Sequence, residues 1–340
     1  MKLNLQQITA ASWGVSRVTE EADGFHLFRF TEAEQRAYEG TNLENKTLST
    51  AGVEWVFDTD AEALCLSGYT EASSSRKYFA FDLWVNGEYR ESIKNFPDSS
   101  AINSYCGSYR GTPYELGDFC ARLPLGEGHK RVRLVFPWSV NAVIREAELE
   151  KTSVFAPVAP PASKLVLYGD SITHGYDALH PSGSYATRLT QALGCEGFNK
   201  AIGGACFYPR LGETDCGIKA DIITVAYGTN DWNKMDRETF RTNCRGFLAG
   251  LCRRAGNAKI FVITPIWRDD EAEPTRVFGA FSDVEPLIRE ICADLPVTVI
   301  RGYEFLPRDT DLFGDRKLHP NLNGFEHYIK NLLTEIKKYL

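Results

Sequence analysis

With 340 residues, 43% of them hydrophobic and 12% aromatic, the chain is long enough for two domains and can fill sizeable cores. A formal net charge of -7 without a long basic run argues against nucleic acid as a partner. No run of 18 apolar residues occurs, so no membrane span is expected. The start, MKLNLQQITAASWGVSRVTEE, has no apolar stretch of signal-peptide length, so a cytoplasmic location is expected unless a leader was removed. Nine cysteines, none in a CxxC pair, read as reduced thiols and not as a disulfide framework or a zinc site.

Residues 1–152 read as β-rich. Gly24–Phe30, Val53–Phe57, Ala63–Gly68, Tyr78–Val85 and Val132–Phe136 are short strand-like runs. Asn86-Gly87, between LWV and EYR, is a hairpin turn signal. Val132, Leu134 and Phe136 alternate with Arg131 and Arg133, as in a strand with one solvated face. Short strands and few helical periods predict an all-β sandwich or jelly roll. A longer loop is expected over Ser99–Gly111. Trp13, Trp55, Trp84 and Trp138 are assigned to packing, with stacking on a sugar ring as the alternative. Residues 153–163, SVFAPVAPPAS, carry Pro157, Pro160 and Pro161 and read as an extended linker.

From residue 164 to 340 strands alternate with helices. Strands are expected at Lys164–Tyr168, Gly197–Ala201, Asp221–Tyr227, Lys259–Thr264 and Val297–Ile300. Helices are expected at Tyr185–Leu193, Arg237–Arg254, Val284–Asp294 and from about Pro320 to Leu340, the last with Phe325, Ile329, Leu332, Leu333 and Ile336 on one face. This alternation predicts an α/β fold with a doubly wound parallel sheet, and wholly apolar strands fit burial on both faces.

Four polar segments interrupt this half. Gly169-Asp170-Ser171 follows the strand Leu165–Tyr168 and delivers a serine to the start of a helix. That places a hydroxyl at the carboxyl end of a strand, where open α/β sheets bind ligands; a plain helix N-cap is the other reading. Asn199–Gly204 follows the second strand, Gly228-Thr229-Asn230-Asp231 follows the third, and Asp315–Pro320 precedes the last helix.

In residue, order and spacing, Ser171, Gly204, Asn230 and His319 resemble the four blocks of the SGNH (GDSL-type) hydrolases. The resemblance covers the second half of the chain and implies a flavodoxin-like sheet and serine ester hydrolysis without cofactor or metal. It assigns Ser171 as nucleophile, His319 as base, and Ser171 N–H, Gly204 N–H and the Asn230 amide as the oxyanion hole. A serine needs such a base to lose its proton, and a glycine at 204 lets backbone approach substrate closely. There is no GxSxG, which disfavours an α/β-hydrolase elbow.

One departure stands out. The family usually has an Asp three residues before the histidine, where this chain has Arg316; Asp315 lies four before. Asp315 reaching across the extra residue is preferred, and a backbone carbonyl orienting the ring in a Ser–His dyad is the alternative. Asp170 and Asp231 are expected to fix loops through backbone hydrogen bonds. His174 and His180 read as loop residues, with a pocket lining as the alternative, and His26, His129 and His327 as structural or exposed. No GxxxxGK[ST] or GxGxxG occurs, so no nucleotide cofactor is implied.

The first half is similar in architecture to carbohydrate esterases with a β-sandwich ahead of the hydrolase domain. That similarity implies short acyl groups, such as acetyl, on sugars or oligosaccharides. A lipid- or thioester-directed hydrolase, and a carbohydrate-binding protein with an inactive hydrolase domain, are the competing readings.

Overall fold

The computed structural model describes residues 1–97, 108–109, 112–272 and 276–340. The amino-terminal part is built on two antiparallel sheets packed over one core. One sheet runs Ser12–Trp13, Glu54–Thr59, Lys130–Val135, Ala80–Val85, Glu88–Lys94, and the other Gly117–Pro124, Ala63–Ala72, Val140–Glu148, Gly24–Phe28, Arg17–Glu21. Asn86 and Gly87 both take positive φ (52° and 83°), the geometry of a tight hairpin whose twist matches its strands. Trp55 and Trp138 are buried core residues, and Trp13 and Trp84 are half-buried. The loop expected over Ser99–Gly111 lies outside the described residues, except for Ser108–Tyr109, which pairs with Thr112–Pro113.

The sandwich is not purely β. Helices Leu5–Ala11 and Glu32–Tyr38 interrupt it, each opened by a capping box, Asn4 with Gln7 and Thr31 with Glu34. The proline-rich segment is extended but not free: Phe155–Pro157 adds to Glu54–Thr59, and Val158 N–H donates to Val56 O at 3.0 Å.

The remaining residues form a five-stranded parallel sheet. Its strands are β1 (Lys164–Gly169), β2 (Glu196–Asn199), β3 (Ile222–Ala226), β4 (Lys259–Ile263) and β5 (Thr298–Ile300), in the order β2-β1-β3-β4-β5. The period-2 alternation sorts side chains to two cores. Val166, Tyr168, Ile223, Val225, Ile260 and Val262 face one, and Leu165, Leu167, Ile222, Phe261 and Ile263 the other. Helices α2 (Arg237–Arg254) and α3 (Val284–Cys292) cover the first face through Phe240, Phe247, Leu251, Leu287 and Ile288. Helices α1 (Tyr185–Leu193) and α4 (Leu322–Ile336) cover the second through Leu189, Phe325, Ile329 and Leu332. Among the described residues no helix is long and apolar enough to cross a membrane, and the cysteines are free thiols.

The two parts are fused through buried polar groups. Arg29, fully buried, donates to Asn199 O and Ala201 O at 2.8 and 2.7 Å, at the end of β2 and just past it. Lys200 and Glu34 form an ion pair at 2.7 Å with both side chains fully buried. Phe30 and Tyr38 enter the same core as Val166 and Ile223. The segment leaving β2 is therefore held by side chains of the sandwich.

Candidate active site

Strand β1 ends at Gly169, where a Cβ would lie 2.2 Å from Thr173 Oγ1, so only glycine permits the turn that follows. Asp170 caps that turn, its Oδ1 accepting from Ile172 N–H at 3.0 Å. Ser171 is the next residue and is 3% exposed.

His319 reaches Ser171 from the loop before α4, with Nε2 2.7 Å from Ser171 Oγ. Its Nδ1 faces Asp315 Oδ2. A carboxylate only accepts, so Nδ1 carries the ring hydrogen and Nε2 is left to accept from the serine hydroxyl. Asp315 Oδ1 meanwhile accepts from the backbone N–H groups of Lys317, Leu318 and His319 at 2.9, 2.7 and 3.1 Å. Burial pushes the Asp315 carboxyl upward, but the bond to His319, its charge and these backbone donors outweigh it and hold the group well below the usual carboxylate range.

The extra residue before His319 is absorbed by Arg316, which takes φ 58° and turns its side chain outward to Asp311 at 2.7 Å. That kink lets an aspartate four residues back face the ring. Asp315, and not a backbone carbonyl, sits at Nδ1.

The Asn199–Gly204 segment continues along β1, with Lys200 N–H donating to Leu167 O and Ile202 N–H to Gly169 O at 2.8 and 3.0 Å. Both of its glycines are required, for different reasons. Gly204 takes φ +87°, and a Cβ on Gly203 would sit 2.2 Å from the Tyr176 hydroxyl oxygen. Gly203 N–H donates to His174 Nδ1 at 3.0 Å. His174 Nε2 therefore carries the hydrogen and donates to Trp138 O at 2.9 Å, with Ser49 Oγ at 2.8 Å. Burial, reinforced by the nearby Arg29 charge, keeps this ring neutral. His174 is thus not a loop residue but a buried strut under the second block.

Asn230 opens the helical turn Thr229–Lys234 after β3 and spends one amide hydrogen on Ala205 O at 3.1 Å, keeping a second. Asp231 ties two segments together, accepting from Phe207 N–H at 2.9 Å and Gly228 N–H at 3.0 Å. Burial pushes the Asp170 carboxyl up to about 6 and that of Asp231 up to about 7. Both aspartates fix loops, as their types and positions predict.

Sequence reasoning missed residues around the histidine. The Tyr176 ring lies 5.4 Å from the His319 ring at 30°. Asp177, fully buried, pairs with Arg76 at 2.9 Å and accepts from the Tyr78 hydroxyl at 3.1 Å. His180, also read as a loop residue, bonds to buried Asp82 at 2.8 Å. Arg76, Tyr78 and Asp82 all come from the sandwich, a hundred residues away, and no local pattern signals their approach. Asp177, Asp315 and His319 offer ligand atoms within 4.8 Å of one another, but Arg76 already neutralises Asp177 and the other two are joined to each other.

Residues 167–327 match the GDSL-like Lipase/Acylhydrolase family. None of the curated proteins matches the sequence. Among solved structures, the salicylyl-acyltransferase SsfX3 of a tetracycline biosynthetic pathway superposes with a TM-score of 0.79 at 18% identity, over 96% of this chain and 94% of that one. A Bacteroides ovatus protein described as a GDSL-like lipase gives 0.77 at 18% identity, over 99% and 97%. The acetyl xylan esterase Est2A of the rumen bacterium Butyrivibrio proteoclasticus gives 0.63 at 16% identity, over 99% and 98%. At these identities the likeness is one of fold, and it extends over the sandwich as well as the parallel sheet. Residues 167–327 therefore form a GDSL-like lipase/acylhydrolase domain, the domain of a carboxylic ester hydrolase.

Proposed function

We propose that the protein is a serine esterase that removes short acyl groups, acetyl foremost, from sugars or oligosaccharides. The observation that carries the catalytic part is the hydrogen-bonded chain from Ser171 Oγ through His319 to Asp315. As the Ser171 Oγ–carbonyl carbon bond forms, the hydroxyl proton passes to His319 Nε2, and the resulting imidazolium is stabilised by Asp315. The tetrahedral oxyanion is met by the N–H groups of Ser171 and Gly204 and the remaining hydrogen of Asn230. When the carbon–alkoxide bond breaks, His319 returns the proton to the leaving alcohol. Water, deprotonated by the same ring, then attacks the acyl-enzyme and frees the acid.

The acyl and sugar preference rests on the likeness to an acetyl xylan esterase along the whole chain. The likeness to an acyltransferase supports a second outcome, in which a hydroxyl compound replaces water at the acyl-enzyme. The test is hydrolysis of 4-nitrophenyl esters from acetate to palmitate, with wild type and Ser171→Ala side by side. Fast acetate turnover, fading with chain length and lost in the variant, is expected, followed by acetate release from acetylated xylo- and manno-oligosaccharides. A preference for long chains overturns the sugar reading. Undiminished turnover by Ser171→Ala overturns the nucleophile.

A further inference from the structure

The second block carries two cations that the reaction above does not use. Lys46 comes from the sandwich, in the short helical segment Glu44–Leu48, and its Nζ donates to Gly203 O at 2.7 Å. Lys234 ends the turn that begins beside Asn230, and its Nζ donates to Gly204 O at 2.5 Å. A Cβ placed on Gly204 would meet just two atoms within 4 Å, Lys46 Nζ at 3.6 Å and Lys234 Nζ at 3.8 Å. The face of Gly204 is thus open space bordered by two ammonium groups.

Neither lysine forms an ion pair with a carboxylate among the described residues, whereas the surface arginines 237, 241 and 245, which follow Lys234 in sequence, each do. Each ammonium has three donors and gives one to a backbone carbonyl. Two like charges drawn to the carbonyls of adjacent glycines, in a chain of net charge -7, are an arrangement that an anion seated between them relieves.

We propose that Lys46 and Lys234 form a subsite for a carboxylate borne by the ester, so that the favoured substrates are acidic esters such as acylated sugar acids. This rests on the esterase reading above, because it is the proposed oxyanion donor Gly204 that places the subsite beside the reacting carbonyl. The carboxylate can lie on the alcohol or on the acyl side, and the two are separable.

The test compares kcat/KM for matched acidic and neutral esters: 4-acetoxybenzoate against its methyl ester for the alcohol side, and mono-4-nitrophenyl adipate against 4-nitrophenyl hexanoate for the acyl side. In at least one pair the acidic ester is expected to be favoured about tenfold at low salt, the preference shrinking in 0.5 M salt. Lys234→Met and Lys46→Met should each lower that acidic-to-neutral ratio about tenfold, and Lys234→Arg should keep it within about threefold. A merely structural role in holding the glycines would lower both rates and leave the ratio unchanged, which overturns the proposal. Turnover without acidic preference in either pair overturns this subsite alone. No turnover of any ester overturns the esterase reading and the subsite with it.

Discussion

Asp315 and His319 are joined twice: one carboxylate oxygen faces the ring nitrogen, and the other accepts the backbone N–H of the same histidine at 3.1 Å. The loop and the imidazole are therefore set by one side chain, and orientation of the ring is inseparable from the turn that carries it. Asp315→Asn keeps an acceptor for the backbone donors but presents an amide where only an acceptor fits the productive tautomer. kcat for 4-nitrophenyl acetate is expected to fall about 10³–10⁴-fold with little loss of stability. A loss under tenfold would mean that another group orients the ring.

Asn230 tests the proposed oxyanion hole separately. Its bond to Ala205 O positions the amide without exhausting it. Asn230→Ala should lower kcat about 10²–10³-fold while KM changes little, because the bond strengthens as charge develops on the substrate oxygen. An effect confined to KM would place Asn230 in ground-state binding instead.

His174 holds the second block from beneath. His174→Phe fills the volume but leaves Gly203 N–H without its acceptor in a buried place. We expect a loss of about 1–3 kcal/mol in urea unfolding together with a fall in kcat. A variant as stable as wild type would show that water replaces the ring there.

Arg76 and Asp177 join the sandwich to the turn carrying Tyr176. Both side chains are buried, so Arg76→Met takes the charge partner from the Asp177 carboxylate and should cost about 3–5 kcal/mol. The double variant Arg76→Met/Asp177→Asn should recover part of that loss. Equal stabilities for the single and double variants would contradict a coupled pair.

The raised carboxyls predict a sign for pH dependence. Asp231 loses its proton near 4 when unfolded and at about 7 when folded, so between these values the folded state binds more protons and the contribution of Asp231 to stability declines as pH rises. His174, held neutral by burial, acts in the opposite sense below its ordinary pKa, so a difference measurement is needed. The stability advantage of wild type over Asp231→Asn should shrink from pH 5 to pH 8 in urea titrations. An advantage that grows over that range would reverse the assignment.

Much of the second half is legible from its residues. The apolar runs and helical periods mark each strand of the parallel sheet and its four long helices, because burial on two faces imposes a period on the chain itself. Ser171, Gly204, Asn230 and His319 stand out for a related reason: each sits in a short linear block at a strand end or helix entry. The first half is less legible. Its two short helices are announced only by capping boxes of four residues, and the strands Gly117–Pro124 and Val140–Glu148 lie outside the expected runs, although Gly126 and Gly128 close the first and Pro137 precedes the second.

What the chain determines by itself is therefore the local part: where strands and helices lie and which residue types stand at their ends. Only the tertiary structure decides that Asp315 reaches His319 through the φ of Arg316, that His174 is a strut and not a loop residue, and that Arg29, Lys46, Arg76 and Asp82 of the sandwich support the loops of the hydrolase half. Apart from the four-residue step from Asp315 to His319, those contacts join residues 29 to 170 positions apart, set by how two layers pack, and short-range periodicity carries no record of packing at that distance.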